Sequence, residues 1–200
     1  MAKERLKSPR ARLFVALELP EAVREGIVAW GREALADPAL RPLSPESLHI
    51  TLAFLGYLAE KEIERLAAIL GEVESRAASI ELRDPVAVPP RGRARLFALP
   101  AESPGAVSLQ AELQERLVAA RLYKPEKRPF WSHVTVARVR REERGSKRPA
   151  SVSRPPGALP QALLQPAVCR RLTLYRSQLQ PQGAQYTPLA QVELPAGGRQ

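Results

Sequence analysis

The chain has two histidines, and each stands two residues ahead of a threonine: His49 and Thr51 in "LHITLAFLG", His133 and Thr135 in "SHVTVARV". With four threonines in 200 residues, a given histidine meets a threonine at that spacing about 2% of the time, and both do so in roughly 1 of 2,000 random placements. Both runs read as strands, where residues i and i+2 share a face. Imidazole and hydroxyl then point together one way, while Ile50, Leu52 and Phe54, or Val134 and Val136, point the other way into a core. Two such pairs meeting in one cleft put four groups around a single point. Imidazole titrates near 6.5 when unperturbed, so one histidine as free base and the other as imidazolium can accept a proton from an attacking water or hydroxyl and donate one to a departing oxygen. The threonine hydroxyls can donate to non-bridging phosphate oxygens, whose charge grows in the transition state. This is equipment for in-line displacement at phosphorus, and it requires no metal or other cofactor. A two-histidine metal site lacks carboxylate or thiolate partners in either motif.

The elements that must hold these groups repeat. "RLFVALEL" reads as a strand, and Pro20 and Glu21 open the helical pattern "PEAVREGIVAWGREALA". "SLHITLAFLG", closed by Gly56, is the next strand, followed by a helix with Ile63, Leu66, Ile69, Leu70 and Val73 on one face. Weaker strands "SIELRDPVAV" and "RARLFALP" lead to a third helix, with Ser103 as its N-cap and apolar positions at Val107, Leu109, Leu113, Leu117 and Val118. "WSHVTVARV" returns to strand, and residues 140–160 form a basic, Pro- and Gly-rich loop that reads as mobile. "AVCRRLTLYRSQL" and "AQYTPLAQVEL" close the chain as a hairpin around "QPQG". Each half therefore shows a strand, a helix and a His-x-Thr strand. The expected fold is α+β: a bilobal, pseudo-twofold duplication in which two largely antiparallel sheets, flanked by helices, enclose a central cleft carrying both motifs. Residues 1–200 are expected to form one such two-lobed domain with intertwined lobes.

Composition fits this class. A chain this long buries roughly 70% of its unfolded surface. No apolar stretch approaches the ~20 residues of a membrane helix, and the basic start "MAKERLKSPRAR" is followed by too short an apolar run for a secretory signal, so the expected location is the cytoplasm. Cys169 is the only cysteine, which excludes an internal disulfide. The formal charge of +10 favours polyanionic partners such as RNA.

"RLFVALELP", "LHITLAFLG", "RPFWSHVTVARV" and "LYRSQLQPQGAQYTPL", in this order and spacing, resemble the bacterial and archaeal 2′-5′ RNA ligase / RNA 2′,3′-cyclic phosphodiesterase family, the LigT-like two-histidine phosphoesterases, over about residues 12–194. The resemblance implies hydrolysis of an RNA 2′,3′-cyclic phosphate to a 2′-phosphate without metal or ATP and, in the reverse sense, 2′-5′ joining. By the same resemblance His133 is the general base, His49 the general acid, Thr51 and Thr135 their partners, and Arg138 the strand arginine, with Arg140 as the alternative. Ser177 and Tyr186 line the nucleotide site or merely hold the hairpin. Phe14 stacks on a base or sits in the core, and Trp131, beside Phe130 and Arg128, is a base platform or a core aromatic. The 138–148 basic run tracks RNA or is a solvated loop. The chain departs from the family in Ser132, where proline is common, and in the long loop after the second motif. The partner is an RNA with a cyclic phosphate end, such as a tRNA half, bound by a monomer. The competing reading is a non-catalytic protein that binds RNA ends or nucleotide phosphates.

Overall fold

The computed structural model describes residues 9–143, 145–180 and 183–196. The basic run 1–8, Arg144 of the long loop, and Pro181 and Gln182 of the expected hairpin turn lie outside the described residues.

The first half runs β1 (Arg10–Glu18), α1 (Glu21–Ala34), β2 (Leu40–Pro42), β3 (His49–Ala59) and α2 (Ile63–Gly71). The second continues with β4 (Ala78–Leu82), β5 (Val86–Val88), β6 (Leu96–Glu102), α3 (Pro104–Ala119) and β7 (His133–Val139). It closes with β8 (Ala167–Cys169), β9 (Arg171–Gln180) and β10 (Gly183–Glu193). Every ladder among these strands is antiparallel, in the order β10-β9-β1-β3-β7-β6-β4-β8, with β2 on β7 and β5 on β6. The two expected sheets meet where β3 touches β7 through one residue pair, Ile50 with Val134. About that pair the halves mirror each other: β1, α1 and β3 answer to β6, α3 and β7.

The helices bury the faces their spacing dictates. In α2, Leu66, Ile69 and Leu70 are buried, with Val73 just beyond. In α3 the buried stripe is Ala106, Leu109, Leu113 and Leu117, each leucine worth about 2 kcal/mol on burial. Val107 and Val118, expected on that face, are 51% and 41% exposed, because at about 100° per residue neither falls within the stripe. Ser103 caps α3 as expected: its Oγ accepts from the Ala106 amide at 3.0 Å and donates to the Ser79 carbonyl on β4 at 2.6 Å. Ser103→Ala is expected to cost about 2 kcal/mol in urea unfolding, since a helix donor and a strand acceptor both lose their partner.

Two further expectations change. β3 does not close at Gly56, whose positive φ of 70° lets the chain bulge and pair onward to Ala59. The loop after β7 is anchored rather than free along its later part. The Asp37 carboxylate accepts from the Ser153 amide and hydroxyl and the Arg154 amide. These bonds, the Arg154 amide's foremost, hold its pKa down to about 2 against the cost of burial. Asp84 accepts from the Leu159 amide, and the Trp30 indole donates to the Ala158 carbonyl.

Candidate active site

The Ile50–Val134 pair sets the geometry of both motifs. Antiparallel neighbours step in opposite directions, so His49 falls opposite Thr135 and Thr51 opposite His133. The two histidines are then diagonal neighbours, roughly 7–8 Å apart at the backbone of an ideal ladder. All four side chains are partly open while Ile50 and Val134 are fully buried, so imidazoles and hydroxyls share the open face. The partners of Thr51 and Thr135 on β1 and β6 are Ala16 and Ala98. Their methyl groups leave room beside the hydroxyls.

A register shift follows each threonine. In the β1–β3 ladder it sets Val15 and Ala16 against Ala53 and Thr51; in the β6–β7 ladder it sets Phe97 and Ala98 against Ala137 and Thr135. Each bulge seats one extra residue on the core side and reverses the alternation beyond it. Phe54, expected in the core, is instead 56% exposed and lies beside Phe14 on the His49 face, ring centroids 6.2 Å apart. Arg138 holds the equivalent place in β7, exposed on the side of His133 and Thr135, with Arg140 following at the same phase. A strict period of two could not have put Arg138 there.

The two histidines differ in setting. The ring of His49 is stacked on Phe14 at 5.1 Å, lies 5.9 Å from Tyr175, and meets the edge of Tyr186 at 5.5 Å. Phe14 is 3% exposed: it packs His49 from behind and offers a base almost no surface. Ser177, also buried, pairs with Tyr186 across β9 and β10. Opposite His49 in the β1–β3 ladder stands Glu18, which the sequence reading missed. Its carboxylate accepts from Thr173 at 2.6 Å, Tyr175 at 2.8 Å and Gln191 at 3.0 Å, with Arg171 at 3.5 Å. Burial raises the Glu18 pKa, but those donors and the Arg171 charge outweigh it and leave it lowered. A charged residue inside the apolar run "FVALEL", in phase with Phe14, was the available signal. Tyr175, two residues before Ser177 and so on its face, was another.

Burial lowers the His49 pKa to about 4, with the His133 charge acting in the same direction and the Glu18 carboxylate opposing it. Its Nδ1 is buried without a hydrogen-bond partner. His133 is also lowered, first by burial, against a bond from its Nδ1 to the Trp131 carbonyl at 2.7 Å. The Trp131 ring lies flat on the His133 imidazole, centroids 4.1 Å apart and planes at 15°. Trp131 is 42% exposed, beside the site rather than in the core. Among the described residues, no three His, Cys, Asp or Glu side chains converge as a metal site would need.

Two imidazoles at diagonal positions, each crossed with a hydroxyl, can do acid–base chemistry on an anionic ester, and the class that this fold and pairing fit is the two-histidine phosphoesterases. Residues 17–97, which hold the first motif, match the family model of LigT-like phosphoesterases. The chain is 32% identical over 195 residues to the RNA 2′,3′-cyclic phosphodiesterase of Thermus thermophilus, covering 92% of this chain and 90% of that one. It is 30% identical over 132 residues to the protein of the same name from Archaeoglobus fulgidus, covering 66% and 74%. In three dimensions it resembles E. coli LigT complexed with 3′-AMP, with a TM-score of 0.72 and 25% identity over 94% of this chain and 99% of that one. The protein belongs to the LigT-like phosphoesterase family.

Proposed function

We propose that the protein hydrolyses the 2′,3′-cyclic phosphate end of RNA to a 2′-phosphate, with His133 as base and His49 as acid. The observation that carries the reading is the Ile50–Val134 pair, which crosses the two motifs around one point. The names of the relatives support the substrate, and the 3′-AMP complex of E. coli LigT supports a nucleotide phosphate in the cleft.

The surroundings of each ring support the division of roles. A carbonyl can only accept, so the bond to Trp131 puts the His133 proton on Nδ1 and leaves Nε2 bare to take a proton from water. At His49 the buried Nδ1 has no acceptor, so the imidazolium is held at a cost and gives up its Nε2 proton readily. Glu18 is the charge that favours imidazolium there. Water attacks phosphorus and gives its proton to His133 Nε2. The bond from phosphorus to the 3′ oxygen breaks, and that oxygen takes the proton from His49 Nε2. Exchange with solvent restores both rings. Thr51 and Thr135 donate to the non-bridging oxygens as charge builds on them, and Arg138, Tyr186 and Ser177 flank the nucleotide. With an RNA 5′-hydroxyl in place of water, the same displacement of the 3′ oxygen yields a 2′-5′ linkage. The protein acts as a monomer in the cytoplasm, on ends such as those of tRNA halves.

A cyclic nucleotide 2′,3′-phosphate incubated with the protein in excess chelator is expected to give the 2′-monophosphate alone, read by phosphorus NMR. Binding without product, or formation of the 3′-monophosphate, would overturn the proposal.

A further inference from the structure

Beyond Arg138 the open face continues into a groove of about 850 Å³, whose lining includes Arg41, Arg95, Arg138, Arg140, Arg141 and Lys147 against one carboxylate, Glu143. Three elements build it. β2 and β6 flank β7 with Arg41 and Leu96 both in register with Arg138, and the loop after β7 folds back through an Arg141–Pro149 bridge. Arg41 also reaches toward the start of β10, where a Cβ on Gly183 would lie 3.8 Å from its guanidinium.

The distribution of ion pairs sets this groove apart. Arg83, Arg93, Arg116, Arg171 and Arg176 each sit on a carboxylate. Among the described residues, Arg95, Arg138, Arg140, Arg141 and Lys147 form no ion pair within 4 Å. Like charges crowded without counter-charge cost folding energy, and an anionic ligand relieves that cost. The groove also lies in line with the reaction. At about 3.3 Å per residue, Arg138 stands roughly 10 Å along β7 from Thr135.

We infer that this groove binds the phosphodiester backbone of the substrate strand on the 5′ side of the cyclic phosphate. The inference rests on the proposed hydrolysis and adds a second binding site to it: a groove that makes a longer strand a better substrate than a cyclic mononucleotide. A 2′,3′-cyclic phosphate closes the 3′ end of a chain, so every further nucleotide leaves the site on its 5′ side. Between flexible single-stranded phosphates and a row of fixed cations, binding is driven by counterion release and is therefore steeply salt-dependent.

The test compares a cyclic mononucleotide with a tetranucleotide ending in the same cyclic phosphate, for the wild type and for Arg95→Ala/Arg141→Ala/Lys147→Ala, across a salt series. In the wild type kcat/KM rises with strand length, and the rise shrinks with salt. In the triple variant the KM for the tetranucleotide rises on the order of 100-fold at 0.1 M salt, about fivefold for each lost contact, and the log–log salt slope falls by about 2. Hydrolysis of the mononucleotide is unchanged in the variant, which also reports that it is folded. Equal salt slopes in the two proteins, or no gain from strand length in the wild type, would overturn the groove and leave the hydrolysis standing. Failure of the wild type on both substrates would instead overturn the hydrolysis.

Discussion

Replacing either His49 or His133 by alanine is expected to lower turnover on a cyclic phosphate by about 10²- to 10⁴-fold, the range set by loss of one positioned proton transfer. The double variant falls little further, because the two groups act on one transition state and their losses do not add. The roles separate with a substrate whose bridging 3′ oxygen is sulfur. A thiol of ordinary pKa near 8.5 departs as thiolate without help, so His49→Ala recovers most of its rate on it and His133→Ala does not. The opposite pattern would exchange acid and base. Equal recovery by both would show that neither ring protonates the leaving atom. His133→Ala is expected to unfold within about 1 kcal/mol of the wild type at pH 8, and His49→Ala, which leaves a gap among Phe14, Tyr175 and Tyr186, to lose about 1–2 kcal/mol and remain folded.

The second large effect is on pH. Both free-state imidazoles are lowered, His49 to about 4 and His133 below its usual 6.5, burial leading in each case. Catalysis needs one ring protonated and the other neutral, so kcat/KM, which reports the free enzyme, peaks between the two values, on the acid side of 6.5. Above the upper value it falls tenfold per pH unit, to about 30-fold or more below its maximum at pH 8. A bound phosphate places negative charge beside both rings and favours imidazolium, so the kcat profile lies roughly 1–3 units higher. Glu18→Gln removes the one carboxylate that favours imidazolium at His49 and moves the acid limb lower still. A kcat/KM maximum above pH 7.5 would refute the burial argument. Stability follows the same linkage. Between pH 6.5 and 4 the unfolded chain binds the proton that folded His49 refuses, so acidification through that window costs the native state up to about 3 kcal/mol. Urea midpoints measured at pH 7 and 4.5 should show that loss in the wild type and little of it in His49→Gln.

Much of the fold was legible because apolar spacing is a local property. The three helices, the two motif strands and the closing β9–β10 pair all follow from periods of 3.6 or 2. Ser103 could be read as a cap from its place before Pro104, and the structure bonds it as one. The failures cluster where a bulge interrupts a period. Phe54 is on the wrong face in a strict alternation, and β3 outruns Gly56 through a positive φ that pattern cannot supply. The 140–160 stretch lacks any apolar period, yet Asp37 from the α1–β2 connection, with Asp84 and Trp30, ties down its later part. Bonds between segments far apart along the chain leave no periodic trace in either segment.

By itself, the sequence determined which groups are available for chemistry: two imidazoles and two hydroxyls on strands, a surplus of cations, and a doubled order of elements. Residue type and alternation depend only on neighbours along the chain. Tertiary structure decided how those groups differ. It set His49 among aromatic rings opposite the tethered Glu18, laid Trp131 on His133, turned Arg138 to the side of His133 and Thr135, and gathered cations from β2, β7 and the loops before β6 and after β7 into one groove. Each of these depends on ladder register and on contacts between distant segments. A one-residue bulge changes which side chains meet while leaving local composition untouched.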